Sequence, residues 1–270
     1  MGNLVKMDLY KLKKFKMFFV FAGIILAATI ILPILGKVFS DILLNLVKTT
    51  GDVQAAAEAQ MVANAYQIAY PLSGIFRSPM GGLSILWVLV FVSASSFSYL
   101  DLANGYVKNI AGQVPSHGYL AVSKMIVIAI HNLIFMVVGL IGSLIGYGVT
   151  QGLTADEALG EGILEFFLKF LLASGLTALL LLFTTGFGKK TLGIIAGVIL
   201  GLGTLSLLYL PLNFALSKLF NADINISAYA PDQMLLATNI NVWAALAEGV
   251  GLTVIFLFLT IRFVNRRDVQ

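Results

Sequence analysis

Apolar residues run along this chain in long blocks broken by short polar connections. A helix needs about 20 apolar residues, rising about 1.5 Å each, to cross the hydrocarbon core of a bilayer. Six stretches reach that length, at about Met17–Gly36, Leu83–Leu100, Met125–Val149, Phe166–Phe187, Leu192–Leu212 and Val242–Val264. They lack the two-residue alternation of a barrel strand, which argues against a transmembrane β-barrel. The pattern predicts an all-α polytopic membrane protein of six transmembrane helices, a single transmembrane domain over residues 1–270.

Ahead of the first block, Leu4, Val5, Leu9, Leu12 and Phe15 interleave with lysines at near-helical spacing. Residues 1–16 are therefore expected to form an amphipathic interfacial helix, its lysines near anionic headgroups; an unordered basic tail is the alternative. A basic front before an apolar run also resembles a signal peptide. This run is longer than the usual 7–15 residues or so, so a retained first span is expected. The outer loop at 37–82 is the largest soluble piece. Ile42 to Val47 reads as a helix or as a continuation of the first span, and Val53 to Ala69, rich in Ala, Gln and Met, favours helix. Pro71, Gly74, Pro79, Gly81 and Gly82 then break regular structure. Residues 213–241 carry few charges and are expected in or near the outer interface.

Composition agrees. Hydrophobic residues make up 59% of the 270 and charged residues 11%, against about 25% charged in a soluble domain. So few charges cannot cover a water-soluble surface. Cysteine does not occur, which excludes disulfides, thiolate metal sites and a cysteine nucleophile. The two histidines, His117 and His131, are too far apart in sequence to imply a metal cluster, so no metal, cofactor or catalytic residue is expected in this chain.

Charge placement sets the expected orientation. Lys6, Lys11, Lys13, Lys14, Lys16, Lys108, Lys124, Lys189, Lys190, Arg262, Arg266 and Arg267, twelve of the seventeen basic residues, fall on one side of a six-span layout. Nine of the thirteen acids fall on the other: Asp41, Asp52, Glu58, Asp156, Glu157, Glu161, Glu165, Asp223 and Asp232. The positive side is the cytoplasmic one, so both termini are expected inside and the basic pI implies topology, with no nucleic acid as partner.

A Gly-x-x-x-x-Gly-Lys-Ser/Thr phosphate loop does not occur, and Gly186 to Thr191 only approximates one, its first glycine misplaced. If ATP drives this protein, a separate subunit must bind it. The inner loop 101–124 is the most informative segment. Tyr106, Val107, Ile110 and Val114 can form one apolar stripe on a short helix, suited to docking into a partner's groove; a solvated connector is the equal alternative.

Asn104-Gly105-Tyr106-Val107-Lys108-Asn109-Ile110-Ala111-Gly112-Gln113, with Leu120 and Ser123-Lys124 beyond, resembles the inner loop of type-2 ABC transporter permeases, in particular short Gram-positive members of peptide export and antimicrobial-peptide immunity. The six-span layout, the basic amphipathic N-terminus and the long first outer loop resemble that family too. The resemblance implies a coupling helix here, in which Gly105, Tyr106, Lys108, Asn109, Ile110 and Ala111 contact an ATPase. It also implies two copies of that ATPase subunit carrying ATP and Mg, a second permease copy or close relative, and an amphipathic or hydrophobic peptide cargo in a bacterial cytoplasmic membrane.

Polar residues within spans are the remaining candidates. Glu248, in the outer part of the last span, is costly there unless neutral, paired or wet; it reads as a functional acid or as an interfacial one. His131 and Asn132, in the third, read as a helix-packing pair or as part of a proton relay. Gly142-x-x-x-Gly146, Gly193-x-x-x-Gly197 and Gly197-x-x-x-Gly201 allow close helix contact. The function expected is a permease subunit of an ABC exporter, not itself an enzyme. An ion-coupled secondary transporter using Glu248 or His131 is the alternative, and an intramembrane enzyme ranks last, since no set of converging catalytic groups is seen.

Overall fold

The computed structural model describes residues 1–50, 53–105, 114, 116–220 and 225–266. They form an all-α protein: α1 Gly2–Lys14, α2 Lys16–Thr50, α3 Val53–Ala65, α4 Leu72–Arg77, α5 Ser84–Ala103, α6 Gly118–Thr150, α7 Leu159–Leu181, α8 Lys190–Leu202, α9 Ser206–Phe220, α10 Pro231–Leu236 and α11 Val242–Arg266. A single π turn, Leu182–Gly186, prolongs α7, and a 3-10 turn spans Ile226–Tyr229. Tyr70–Pro71 and Leu153–Thr154 add a two-residue parallel bridge.

Among the described residues five helices, α2, α5, α6, α7 with its π turn and α11, are long and apolar enough to cross a membrane. The protein is membrane-embedded. Helix α7 is central: Leu172, Ala173, Leu180 and Leu181 have no exposed surface. Helix α11 packs along it at a crossing with no room for side chains. A methyl at Gly249 would lie 2.8 Å from the carbonyl carbon of Leu171, and one at Gly175 3.1 Å from the Gly249 carbonyl oxygen.

The glycine spacings read from the sequence are packing seams. Helix α6 lies against α2 with Gly142 on Thr29 and Gly146 on the Thr29 and Ile30 carbonyls. Pro33, inside α2, has no N–H to bond the Thr29 carbonyl, and it is this carbonyl that the bare backbone of Gly146 approaches. On the other side α8 descends α5 through Gly193 beside Ser95, Gly197 on Phe91 and Gly201 on Val88. Small residues let backbones approach where lipid offers no hydrophobic drive for association.

Several boundaries differ from expectation. The helix of the first span does not stop near Gly36: α2 is 35 residues in all, about 52 Å against a hydrocarbon core of about 30 Å, and Ile42–Val47 continues it, one of the two readings expected there. The segment 37–82 is thus mostly helix, the end of α2 with α3 and α4, because no residue between Gly36 and Thr50 stops the helix. The stretch Leu192–Leu212 is not one continuous helix. Gly203 sits at φ +66° in the left-handed region, its N–H bonded to the Leu200 carbonyl at 3.2 Å and that of Thr204 to Ile199 at 3.2 Å. These are the two bonds of a Schellman stop. The 13 residues of α8 span about 20 Å, less than a full crossing.

Gly201→Ile is expected to cost about 1–3 kcal/mol by overpacking, because a methyl there would lie 2.6 Å from the Val88 Cα. Gly251→Ala, at a position with nothing within 4 Å, is expected to leave stability unchanged. Thermal unfolding of the detergent-purified protein reads both.

Candidate functional site

Contacts gather the chain's connections at two ends of the bundle. At one end α1 lies across the ends of α5 and α6, the helices that flank residues 104–117. Its face carries Val5, Asp8 and Leu12 toward the bundle, and Asp8 is 2% exposed although it is the acid among five N-terminal lysines. Lys124, in the second turn of α6, is 3% exposed. Its Nζ lies 2.6 Å from Asp101 Oδ2 and 3.5 Å from Asp8 Oδ1, with the Phe97 ring centroid at 4.5 Å. Lys11 completes the set at 2.7 Å from Asp101 Oδ1 and 3.5 Å from Asp8. Ser123 Oγ donates to Asp8 Oδ2 at 2.6 Å. Two cations and two anions thus close on one another and fix α1 to both helices that flank the 104–117 connection.

The end of α11 meets the same place. Asn265 Oδ1 accepts from the Gly118 N–H at 2.8 Å and from Ser116 Oγ at 3.1 Å. Of the six residues expected in the coupling helix, Gly105 is described, in a turn at φ +64° after α5. Tyr106, Lys108, Asn109, Ile110 and Ala111 lie outside the described residues.

His131 and Asn132 do meet, in a buried polar chain through the bundle. The His131 ring nitrogens lie 2.9 Å from Ser93 Oγ and 3.2 Å from Asn132 Oδ1, and Asn132 Nδ2 donates to Thr177 Oγ1 at 3.0 Å. Thr177 Oγ1 in turn donates a hydrogen bond to the Ala173 carbonyl at 2.9 Å. All four side chains are fully buried and partnered, with Phe18 and Phe135 on the imidazole. The arrangement links α5, α6 and α7 as packing glue.

Glu248 stands elsewhere, on α11 beside the α7 crossing. Its Oε2 is buried with no hydrogen-bond partner among the described residues, and the Asp232 carboxyl acts on it electrostatically. Asp232 starts α10 and has no exposed surface; burial pushes its carboxyl above the usual range, against the hydrogen bond from Gln233. Among the described residues no three metal-ligating side chains converge.

The opposite end of the bundle is closed by Arg77 and Lys169. Arg77 pairs with Glu161 at 2.9 Å and Glu165 at 3.2 Å and reaches Asn239 at 3.1 Å. The buried Lys169 ammonium donates to the Arg77 and Ala237 carbonyls at 2.6 and 2.5 Å. Asp156 accepts from Ser73 Oγ at 2.5 Å and from its N–H at 3.0 Å, and these bonds hold its carboxyl below the usual carboxylate range.

Sequence reasoning used Lys11 only as a topology marker, read Lys124 for topology and as part of the inner-loop resemblance, and assigned no role to Arg77, Asp8 or Asp101. The one legible signal was Asp8, spaced with Val5 and Leu12 on the apolar face of a helix otherwise studded with lysine. Comparison of this chain with protein-family models, with curated proteins and with solved structures gives no match.

Lys124→Met is expected to cost about 3–5 kcal/mol, since it leaves two buried carboxylates to share the one remaining cation, Lys11. Adding Asp101→Asn restores at least half of that, because Asp8 and Lys11 remain a neutral pair. Thermal melts of the two purified variants check both.

Proposed function

We propose that this chain is the membrane-spanning permease subunit of an ATP-driven ABC exporter, with both termini in the cytoplasm and the 104–117 connection as the contact for its motor. One observation carries the reading: the connection that resembles a coupling loop leaves from a junction in which Asp8, Lys11, Asp101 and Lys124 bind α1, α5 and α6 together. A push on such a connection moves three helices as one body. A loop on two unlinked helix ends would absorb the push locally.

In this reading two ATPase subunits carry ATP and Mg and close on binding nucleotide. Tyr106 and Ile110 seat in a groove of the ATPase, while Gly105, Lys108, Asn109 and Ala111 shape the contact. The glycine seams of α2 on α6 and α5 on α8 are the surfaces on which the moving helices slide. A second copy or close relative completes the path, and the cargo is an amphipathic or hydrophobic peptide. The lysines of α1 lie at the cytoplasmic leaflet.

The test is co-expression with an ABC ATPase subunit. Lys108→Glu and Ile110→Asp are expected to cut permease-stimulated ATP hydrolysis about tenfold or more while the permease still folds, an effect of about 1.4 kcal/mol. Assembly and stimulation both untouched would sink the coupling assignment. Because the chain has no cysteine, Tyr106→Cys gives an orientation test: labelling by an impermeant maleimide from outside intact cells overturns the reading.

The broken α8–α9 segment and the unpartnered Glu248 oxygen favour a second reading, an ion-coupled transporter, since discontinuous helices and intramembrane acids bind coupling ions in carriers. It requires solute movement down an imposed ion gradient with no ATPase present, abolished by Glu248→Gln. His131, bonded to Ser93 and Asn132, is the other candidate of this reading.

A further inference from the structure

We propose that an anionic phospholipid occupies the groove between the end of α7, the start of α8 and the end of α11. The groove encloses about 540 Å³ and is lined by Gly186, Phe187, Lys189, Leu192, Phe263 and Arg266. Its floor is apolar and open: Phe187, Leu192 and Phe263 are 38%, 43% and 41% exposed. Phe187 and Phe263 meet edge to face with centroids 4.9 Å apart, which holds the α7 and α11 ends at a set distance. The π turn makes the groove possible. By drawing the Phe187 N–H to the Leu182 carbonyl at 2.8 Å it swings the chain outward just where the span ends, and α8 restarts at Lys190.

The rim is cationic. Lys189 and Arg266 line the groove, Lys190 and Arg262 flank it, and all four are exposed. Among the described residues none of them forms an ion pair, whereas Lys11, Lys124 and Arg77 all do. An apolar floor beneath unpaired cations, at the level where two spans leave the bilayer, complements a molecule with an acyl chain and a phosphate head. Basic clefts between helix ends are fitted to that class of lipid. The proposal depends on the membrane-embedded architecture and is independent of the exporter reading.

The test is native mass spectrometry of the full chain in detergent, titrated with phosphatidylglycerol or phosphatidylcholine of identical acyl chains. Wild type is expected to retain phosphatidylglycerol preferentially. Lys189→Gln with Arg266→Gln is expected to weaken retention about thirtyfold, roughly fivefold for each cation. Lys189→Arg with Arg266→Lys keeps it, and Leu192→Glu, which changes only the floor, loses it. Equal retention of the two lipids overturns the proposal, as does undiminished phosphatidylglycerol on the double Gln variant. Glycerol phosphate without chains competing as well as the lipid overturns it too. So does a double Gln variant that keeps its lipid and loses only a bound ATPase, which makes the groove a protein contact.

Discussion

Removing a charge from water demands a partner, and most of this architecture follows from how the few buried charges find theirs. At one end a lysine of α6 and a lysine of α1 share two carboxylates, one on α1 and one on α5. At the other, Lys169 and Arg77 satisfy carbonyls and carboxylates from α4, α7 and the segment before α11. The bundle is clamped twice, and between the clamps helices touch through bare backbone at glycine seams. Hydrophobic burial supplies little direction here, because lipid is as apolar as the core; close packing and polar matching decide which helix lies on which.

That division ties α1, α5 and α6 together at one end of the bundle. In the proposed exporter, three helices joined by mutually neutralising charges serve as one lever, with the 104–117 connection as its handle. The His131 chain sits deeper and makes α5, α6 and α7 share polar partners. The groove beneath Lys189 and Arg266 lies at this same end, since Asn265, one residue before Arg266, bonds Gly118. An anionic lipid there would be felt by the helix that contacts the inner connection.

Much of this was legible in the chain. The runs around Leu83–Leu100, Met125–Val149, Phe166–Phe187 and Val242–Val264 correspond to α5, α6, α7 and α11, because a block of about 20 apolar residues has no other stable solution in lipid. The Gly142 and Gly193 spacings were read as close-contact seams and are so. Less legible was the behaviour of identical residue types. Gly193, Gly197, Gly201 and Gly203 lie in one apolar stretch, yet the first three pack and the last ends the helix. Nothing local separates them; Gln233, thirty positions away, bonds the Gly203 carbonyl and stabilises the stop.

By itself the sequence determined that this protein lives in a membrane as a bundle of helices, and which of its ends gathers cations, because apolar length and charge placement act locally. Tertiary structure alone decided which charges are buried and paired. Asp8, Lys11, Asp101 and Lys124 come from the N-terminal segment and from the two ends of the 101–124 loop, and nothing in the sequence pattern joins them. Only the folded bundle brings them within bonding distance, where the cost of an unpaired charge in a dry site turns four unremarkable residues into a joint.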